Sequence, residues 1–159
     1  RLTGALPKLR DAAPGVETIA QDVRDFAWTA NAGCAVDEGG RVACWRDDGQ
    51  LERVEGAPPA TTIAKSLGGV CITSRDGRVF CWGRSTLDLY GSLGSGSGVA
   101  PTSPTRVGNL DEAQRVHMSE FHTCVLHRGG GVTCWGLDDV GQAGNPKPAH
   151  SATPIVVLE

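Results

Sequence analysis

An all-β fold built from three copies of one four-stranded unit is what this 159-residue sequence predicts, and three observations carry the prediction. The six cysteines form three pairs at one spacing: Cys34 and Cys44, Cys71 and Cys81, Cys124 and Cys134. Each second cysteine is followed by tryptophan, at Trp45, Trp82 and Trp135. Glycine occupies the middle of every interval, as Gly39-Gly40, Gly77 and Gly129-Gly130-Gly131.

Each interval reads as a β-hairpin. Directly opposed residues of an antiparallel hairpin have a constant sum of indices. Cys34 opposite Cys44 therefore places Val36 opposite Val42, Cys71 opposite Cys81 places Thr73 opposite Val79, and Cys124 opposite Cys134 places Leu126 opposite Val132. Both cysteines of a pair then lie on one side of the hairpin, at the roughly 4.4–6.8 Å Cα separation a disulfide tolerates. Each bridge would contribute roughly 2–3 kcal/mol by closing a short loop. Such bonds persist in oxidising compartments, so the expected location is outside the cytoplasm: secreted, periplasmic or cell-surface. Six reduced, buried cysteines are the alternative. Two opposed strand cysteines supply only two metal ligands, and His117, His122 and His127 all fall in the third unit, so no metal or other cofactor is expected.

The repeat extends beyond the hairpins. Eight residues before each first cysteine stands an apolar residue, Phe26, Ile63 and Val116, inside the short strands Phe26-Ala27-Trp28, Ile63-Ala64-Lys65 and Val116-His117-Met118. A Gly-rich turn follows each tryptophan: Gly49-Gln50-Leu51, Gly91-Ser92-Leu93-Gly94 and Gly141-Gln142-Ala143-Gly144. Pro-led extended stretches (Pro58-Pro59, Pro104-Thr105-Arg106-Val107, Pro154-Ile155-Val156-Val157) are read as opening the next unit. Residues 12–26 have a helix-like composition interrupted by Pro14-Gly15. The cysteine period is 37 residues (34 to 71) and then 53 (71 to 124). Four strands per unit at such periods indicate β-propeller blades. The expected blades are 5–51, 52–97 and 101–144, with a closing strand at 152–159, in one propeller segment spanning 1–159.

His122-Thr123-Cys124-Val125-Leu126, Gly131-Val132-Thr133-Cys134-Trp135-Gly136 and Gly141-Gln142-Ala143-Gly144 resemble the regulator-of-chromosome-condensation repeat. The second unit matches it through Cys71-Ile72-Thr73, Asp76-Gly77-Arg78-Val79-Phe80-Cys81-Trp82-Gly83 and Gly91-Ser92-Leu93-Gly94. The first unit departs most, with Arg46 in place of the repeat's glycine and a shortened turn. The paired-cysteine form resembles an exported bacterial branch of the repeat. The resemblance implies a closed ring, usually of seven blades, and a binding role. Three blades do not close a ring. Either the chain is part of a longer propeller, or copies associate through their terminal blades, as in a homodimer. Its first residue is Arg1 rather than Met, so it is expected to be processed or cut from a longer chain.

Net charge is −3, against the clustered Lys and Arg of a nucleic-acid surface. No apolar run approaches the roughly 20 residues of a membrane helix. Trp45, Trp82 and Trp135 alternate out of phase with the cysteines and are assigned to blade-to-blade packing. His122 is assigned to backbone hydrogen bonding between blades. Ser119, His122 and Asp138 or Asp139 could compose a hydrolase triad, but no nucleophile elbow accompanies them, and no catalytic residue is expected. The long connection after Gly83 carries Arg84, Leu87, Leu89 and Tyr90, a charged and aromatic set suited to a partner-binding loop. The sequence thus favours a non-enzymatic module binding a protein or glycan partner; a structural domain that completes a ring by self-association is the alternative.

Overall fold

The computed structural model describes residues 20–46, 50–83, 88, 90–144 and 151–158. Twelve strands form three four-stranded antiparallel sheets. The first contains β1 (Val23–Thr29), β2 (Ala32–Asp37), β3 (Val42–Arg46) and β4 (Glu52–Arg53). The second contains β5 (Ala60–Lys65), β6 (Gly69–Ser74), β7 (Val79–Gly83) and β8 (Thr105–Arg106). The third contains β9 (Ala113–Met118), β10 (His122–His127), β11 (Val132–Gly136) and β12 (Ser151–Leu158). Each sheet is a meander in chain order, the form of a propeller blade.

The central hairpins have the register read from the cysteine spacing. Cys34 opposes Cys44, Cys71 opposes Cys81 and Cys124 opposes Cys134. All three pairs are disulfide-bonded. Their Cα separations of 3.9, 4.2 and 4.1 Å fall below the expected range. The hydrogen-bond phase supplies the reason. Asp37, Ser74 and His127 donate their N–H to Arg41, Arg78 and Gly131. Counting two residues at a time from those pairs leaves every cysteine pair at a non-hydrogen-bonded position, where antiparallel strands approach most closely.

The hairpin turns are also alike. Gly40, Gly77 and Gly130 take φ of 84°, 79° and 91°, the left-handed residue of a three-residue turn with a bulge. The Gly40 carbonyl then accepts Ala60 N–H and the Gly77 carbonyl accepts Ala113 N–H, both at 2.8 Å. Each turn thereby clamps the first strand of the following sheet.

Strand alternation gives every blade two faces. The cysteine face of the first sheet (Cys34, Val36, Val42) packs against Ile63, Val70, Ile72 and Trp82 of the second. The cysteine face of the second (Cys71, Val79, Cys81) packs against Val116, Val125 and Trp135 of the third. Disulfide face meets tryptophan face at both junctions. At the inner strands, Asp25 Oδ2 accepts Ile63 N–H at 3.0 Å, and its Oδ1 lies 3.4 Å from Arg115 Nη2, so one carboxylate touches all three blades.

Three sequence assignments are corrected. The Pro-led stretches close the preceding blade instead of opening the next: Arg106 pairs with Phe80, so the second sheet runs past the expected boundary at 97. Likewise Ile155 pairs with Cys134 of its own chain, so 151–158 is the fourth strand of the third sheet rather than the opening of a further unit. The reason is geometric: β7 and β11 each leave an edge that the next extended segment can pair with before the chain crosses to a new blade. Finally, Val23–Thr29 is strand where part of a helical turn was read, because pairing with β2 overrides local propensity. Residues 12–19 lie outside the described residues.

Thr73 is fully buried, and its hydroxyl finds no hydrogen-bond partner. Thr73→Val keeps the shape and removes an unsatisfied donor, so it is expected to raise stability by about 1 kcal/mol. A urea denaturation midpoint below that of the parent would contradict this.

Candidate binding surface

In a four-stranded meander, the first and third connections emerge at the same end of the sheet. In this chain that end gathers residues 66–68 and 119–121, the long connection 84–104, and the segment after Gly136. Leu67, Val99, Phe121 and Val140 are exposed there, at 64, 57, 47 and 81%. Tyr90 is half-buried and meets the Phe121 ring edge-on, with centroids 5.1 Å apart. Of the residues assigned to the partner-binding loop, Tyr90 is therefore packed toward the third blade. Arg84, Leu87 and Leu89 lie outside the described residues.

The base of the long connection is built firmly. Buried Asp88 accepts Leu93 N–H through Oδ2 at 2.9 Å, and Asp88 N–H bonds Gly98 O at 3.1 Å. In the third sheet, buried Asp138 Oδ1 accepts Ala143 N–H at 2.8 Å in the same five-residue relation. These aspartates cap Gly-rich turns. The turn at 91–94 then enters the next junction. Leu93 is buried, and the Ser92 carbonyl accepts both Trp135 Nε1–H at 2.9 Å and Thr123 Oγ–H at 2.8 Å. Gly69 and Gly83 make the room: a Cβ on either would lie 2.4 or 2.9 Å from a Leu93 methyl.

Between the first and second sheets the corresponding space is open among the described residues. A groove of about 410 Å3 is lined by the Cys34–Cys44 disulfide, Val54, Val70 and Trp82, with Arg46, Arg53 and Lys65 among its polar residues. Lys65 is half-buried and donates to Ser66 O at 3.3 Å. Burial, followed by repulsion from Arg46, holds the Lys65 ammonium below its ordinary pKa against the opposing pull of Glu120. This groove carries no motif of its own. Its sequence signal is the short connection 47–51, which replaces the 84–104 of the second unit.

The tryptophans divide. Trp82 and Trp135 pack into the buried clusters at the two blade junctions. Trp45 is half-buried over Gly33 on the opposite face of the first sheet, where no further sheet lies among the described residues. His122 is corrected. Its Nδ1 lies 2.9 Å from Ser119 Oγ, which also accepts His122 N–H at 3.2 Å, so the imidazole closes its own turn rather than joining two blades. Thr123, its neighbour, makes the inter-blade bond. With Ser119 committed to that turn and Asp138 to Ala143, the considered triad is not assembled. At the opposite end, burial alone would raise the Asp37 carboxyl, but Arg41 N–H at 2.8 Å and the Arg41 guanidinium at 2.6 Å together hold it below the usual range.

Residues 76–126 and 116–142 each match the family described as the regulator of chromosome condensation (RCC1) repeat. A human probable E3 ubiquitin-protein ligase, HERC3, is 29% identical over 143 residues, which is 89% of this chain and 13% of that protein. Among solved structures, yeast RCC1 (Prp20) bound to Kap60 superposes with a TM-score of 0.70 at 20% identity, over 84% of this chain and 35% of the other. Human WBSCR16 gives 0.70 at 20% identity, over 86% and 40%. Saccharomyces cerevisiae Prp20p, described with its binding to Gsp1p and histones, gives 0.69 at 18% identity, over 91% and 39%. The chain spans well under half of each of these proteins. The structural likenesses establish the fold as consecutive β-propeller blades, and the sequence matches show that residues 76–142 are similar to the RCC1 repeat.

Proposed function

We propose that this chain is a non-catalytic, protein-binding propeller segment of an exported protein, with its recognition surface at the end of the sheets where the long connection emerges. The observation that supports this most directly is the exposed apolar set Leu67, Val99, Phe121 and Val140, gathered at one end of the strands. Clustered exposed apolar side chains on a soluble fold mark contact surfaces. The three disulfides fit an oxidising compartment and support export.

Affinity capture from the oxidising-compartment extract of the source organism tests the reading. A discrete protein should be retained by the parent chain and lost with Phe121→Asp/Val140→Asp, both exposed positions. Equal retention by parent and variant, or capture of a glycan alone, would refute it.

A self-assembling role is the second reading, and it has its own observation. Phe26 and Trp28 stack at 5.4 Å and are 56 and 67% exposed, on the face of the first sheet that in the other blades receives a disulfide face. The third sheet carries a disulfide face that meets no further sheet among the described residues, with Cys124 half-buried. Two copies joined head to tail would give six blades. Light scattering should then report a dimer that Trp28→Asp converts to monomer; a monomeric parent chain leaves the first reading alone.

A further inference from the structure

The two blade junctions are built to one plan, yet among the described residues only one of them is filled. Val54 N–H bonds Val42 O and Val107 N–H bonds Val79 O, both at 2.9 Å, so the segments after β4 and β8 occupy corresponding places. Through the paired registers, Trp82 corresponds to Trp135, Val70 to Thr123, Ala32 to Gly69 and Arg46 to Gly83. In the second junction the chain fills the space itself, with Leu93 on the apolar floor and the Ser92 carbonyl on the tryptophan N–H. In the first junction the groove of about 410 Å3 stands in that place. Trp82 is 8% exposed, and its indole nitrogen has no hydrogen-bond partner among the described residues.

Of the differences between the walls of the groove and those of the filled junction, the charged ones bear on the ligand. Arg46 replaces one of the two glycines that admit Leu93, and Arg53 and Lys65 also line the groove, against one carboxylate, Glu52, so cations outnumber acids in the described lining. Among the described residues Arg46 forms no ion pair, while Arg53 has one distant partner, Glu55 at 3.9 Å. Exposed cations around an apolar floor select a ligand with both an aliphatic side chain and carboxylates.

We infer that the groove between the first and second blades is a docking site for an acidic peptide turn from a partner protein. The turn places an aliphatic side chain on the Cys34–Cys44 disulfide and Val54, accepts the Trp82 Nε1–H with a backbone carbonyl, and sets its carboxylates against Arg46 and Arg53. The chain's own 91–94 turn is the template for the bound backbone. Ala32 and Arg46 narrow the slot relative to its glycine-lined counterpart, so the aliphatic side chain sits shallower than Leu93 does. The inference rests on the protein-binding reading above and adds to it the chemistry of the partner.

The probe is the synthetic peptide acetyl-Asp-Gly-Ser-Leu-Gly-Asp-amide, titrated into the full chain while the indole N–H resonances are followed by NMR. The Trp82 resonance should shift saturably by about 1 mM peptide, with Trp135 unmoved as the internal control. Arg46→Glu/Arg53→Glu, at two exposed positions that leave the core intact, should weaken binding by about tenfold or more. Replacing the leucine of the peptide by alanine should weaken it as well. An unmoved Trp82 resonance, or binding indifferent to charge reversal, overturns the inference. Failure here with capture through Phe121 and Val140 retained removes the groove alone; loss of that capture removes the protein-binding reading itself.

Discussion

Gly77→Val is expected to destabilise the protein by about 3 kcal/mol, and Gly130→Val by only about 1–2 kcal/mol, although the two glycines occupy the same turn position. Both have a left-handed φ, 79° and 91°, which a β-branched residue resists. That shared strain accounts for the smaller figure. Gly77 carries a second constraint. A Cβ there would lie 3.0 Å from both the Cα and the N of Glu112, backbone atoms that cannot rotate away, whereas a Cβ on Gly130 meets nothing within 4 Å. Relieving the clash would pull Gly77 O from Ala113 N–H and loosen the clamp between the second and third blades. Paired urea denaturation of the two variants decides it. Equal losses would mean that φ strain alone governs both turns and that the inter-blade contact contributes nothing measurable.

The three disulfides are expected to be reduced in a fixed order under native conditions, Cys124–Cys134 first and Cys71–Cys81 last. Cys71 and Cys81 are both 0% exposed, sealed between the second and third blades. Cys124 is half-buried on the outer face of the third sheet, where no fourth sheet lies among the described residues. Thiol–disulfide exchange needs an attacking thiolate to reach a sulfur, so accessibility orders the reactions. Complete loss of Cys71–Cys81 should lower stability by roughly 2–3 kcal/mol through loop entropy. Timed alkylation after mild reductant, followed by peptide mapping, reads the order. Simultaneous reduction of all three would show that exchange proceeds only through global unfolding.

The legible part of this fold is the part encoded by local spacing. A constant index sum pairs residues across a hairpin whatever surrounds it, so the pairings Val36 with Val42, Thr73 with Val79 and Leu126 with Val132 followed from the cysteines, and the structure has each of them. Phe26, Ile63 and Val116 likewise fall in the first strands of the three sheets. Blade boundaries were not legible. Whether Thr105–Arg106 ends one sheet or begins another depends on which edge is free to accept it, a non-local condition that the proline before it does not report. His122 misled for a similar reason: the H-T-C element suggests an inter-blade bond, but Ser119 lies close enough in the same turn to take the imidazole first.

The candidate site divides along the same line. Its raw materials are visible in the sequence: a shortened connection after Trp45, a long one after Trp82, and Arg46 where the other units have glycine. That these three facts describe one groove appears only when the blades are stacked, because the floor is contributed by two sheets and the missing filler is recognised by what Leu93 and Ser92 do at the neighbouring junction. Sequence by itself determined the strands, their hairpin register, the disulfides and the repeat, since each depends on residues a few positions apart. Which faces are buried, and which junction stands open among the described residues, follow from packing between segments dozens of residues apart and cannot be read from local spacing.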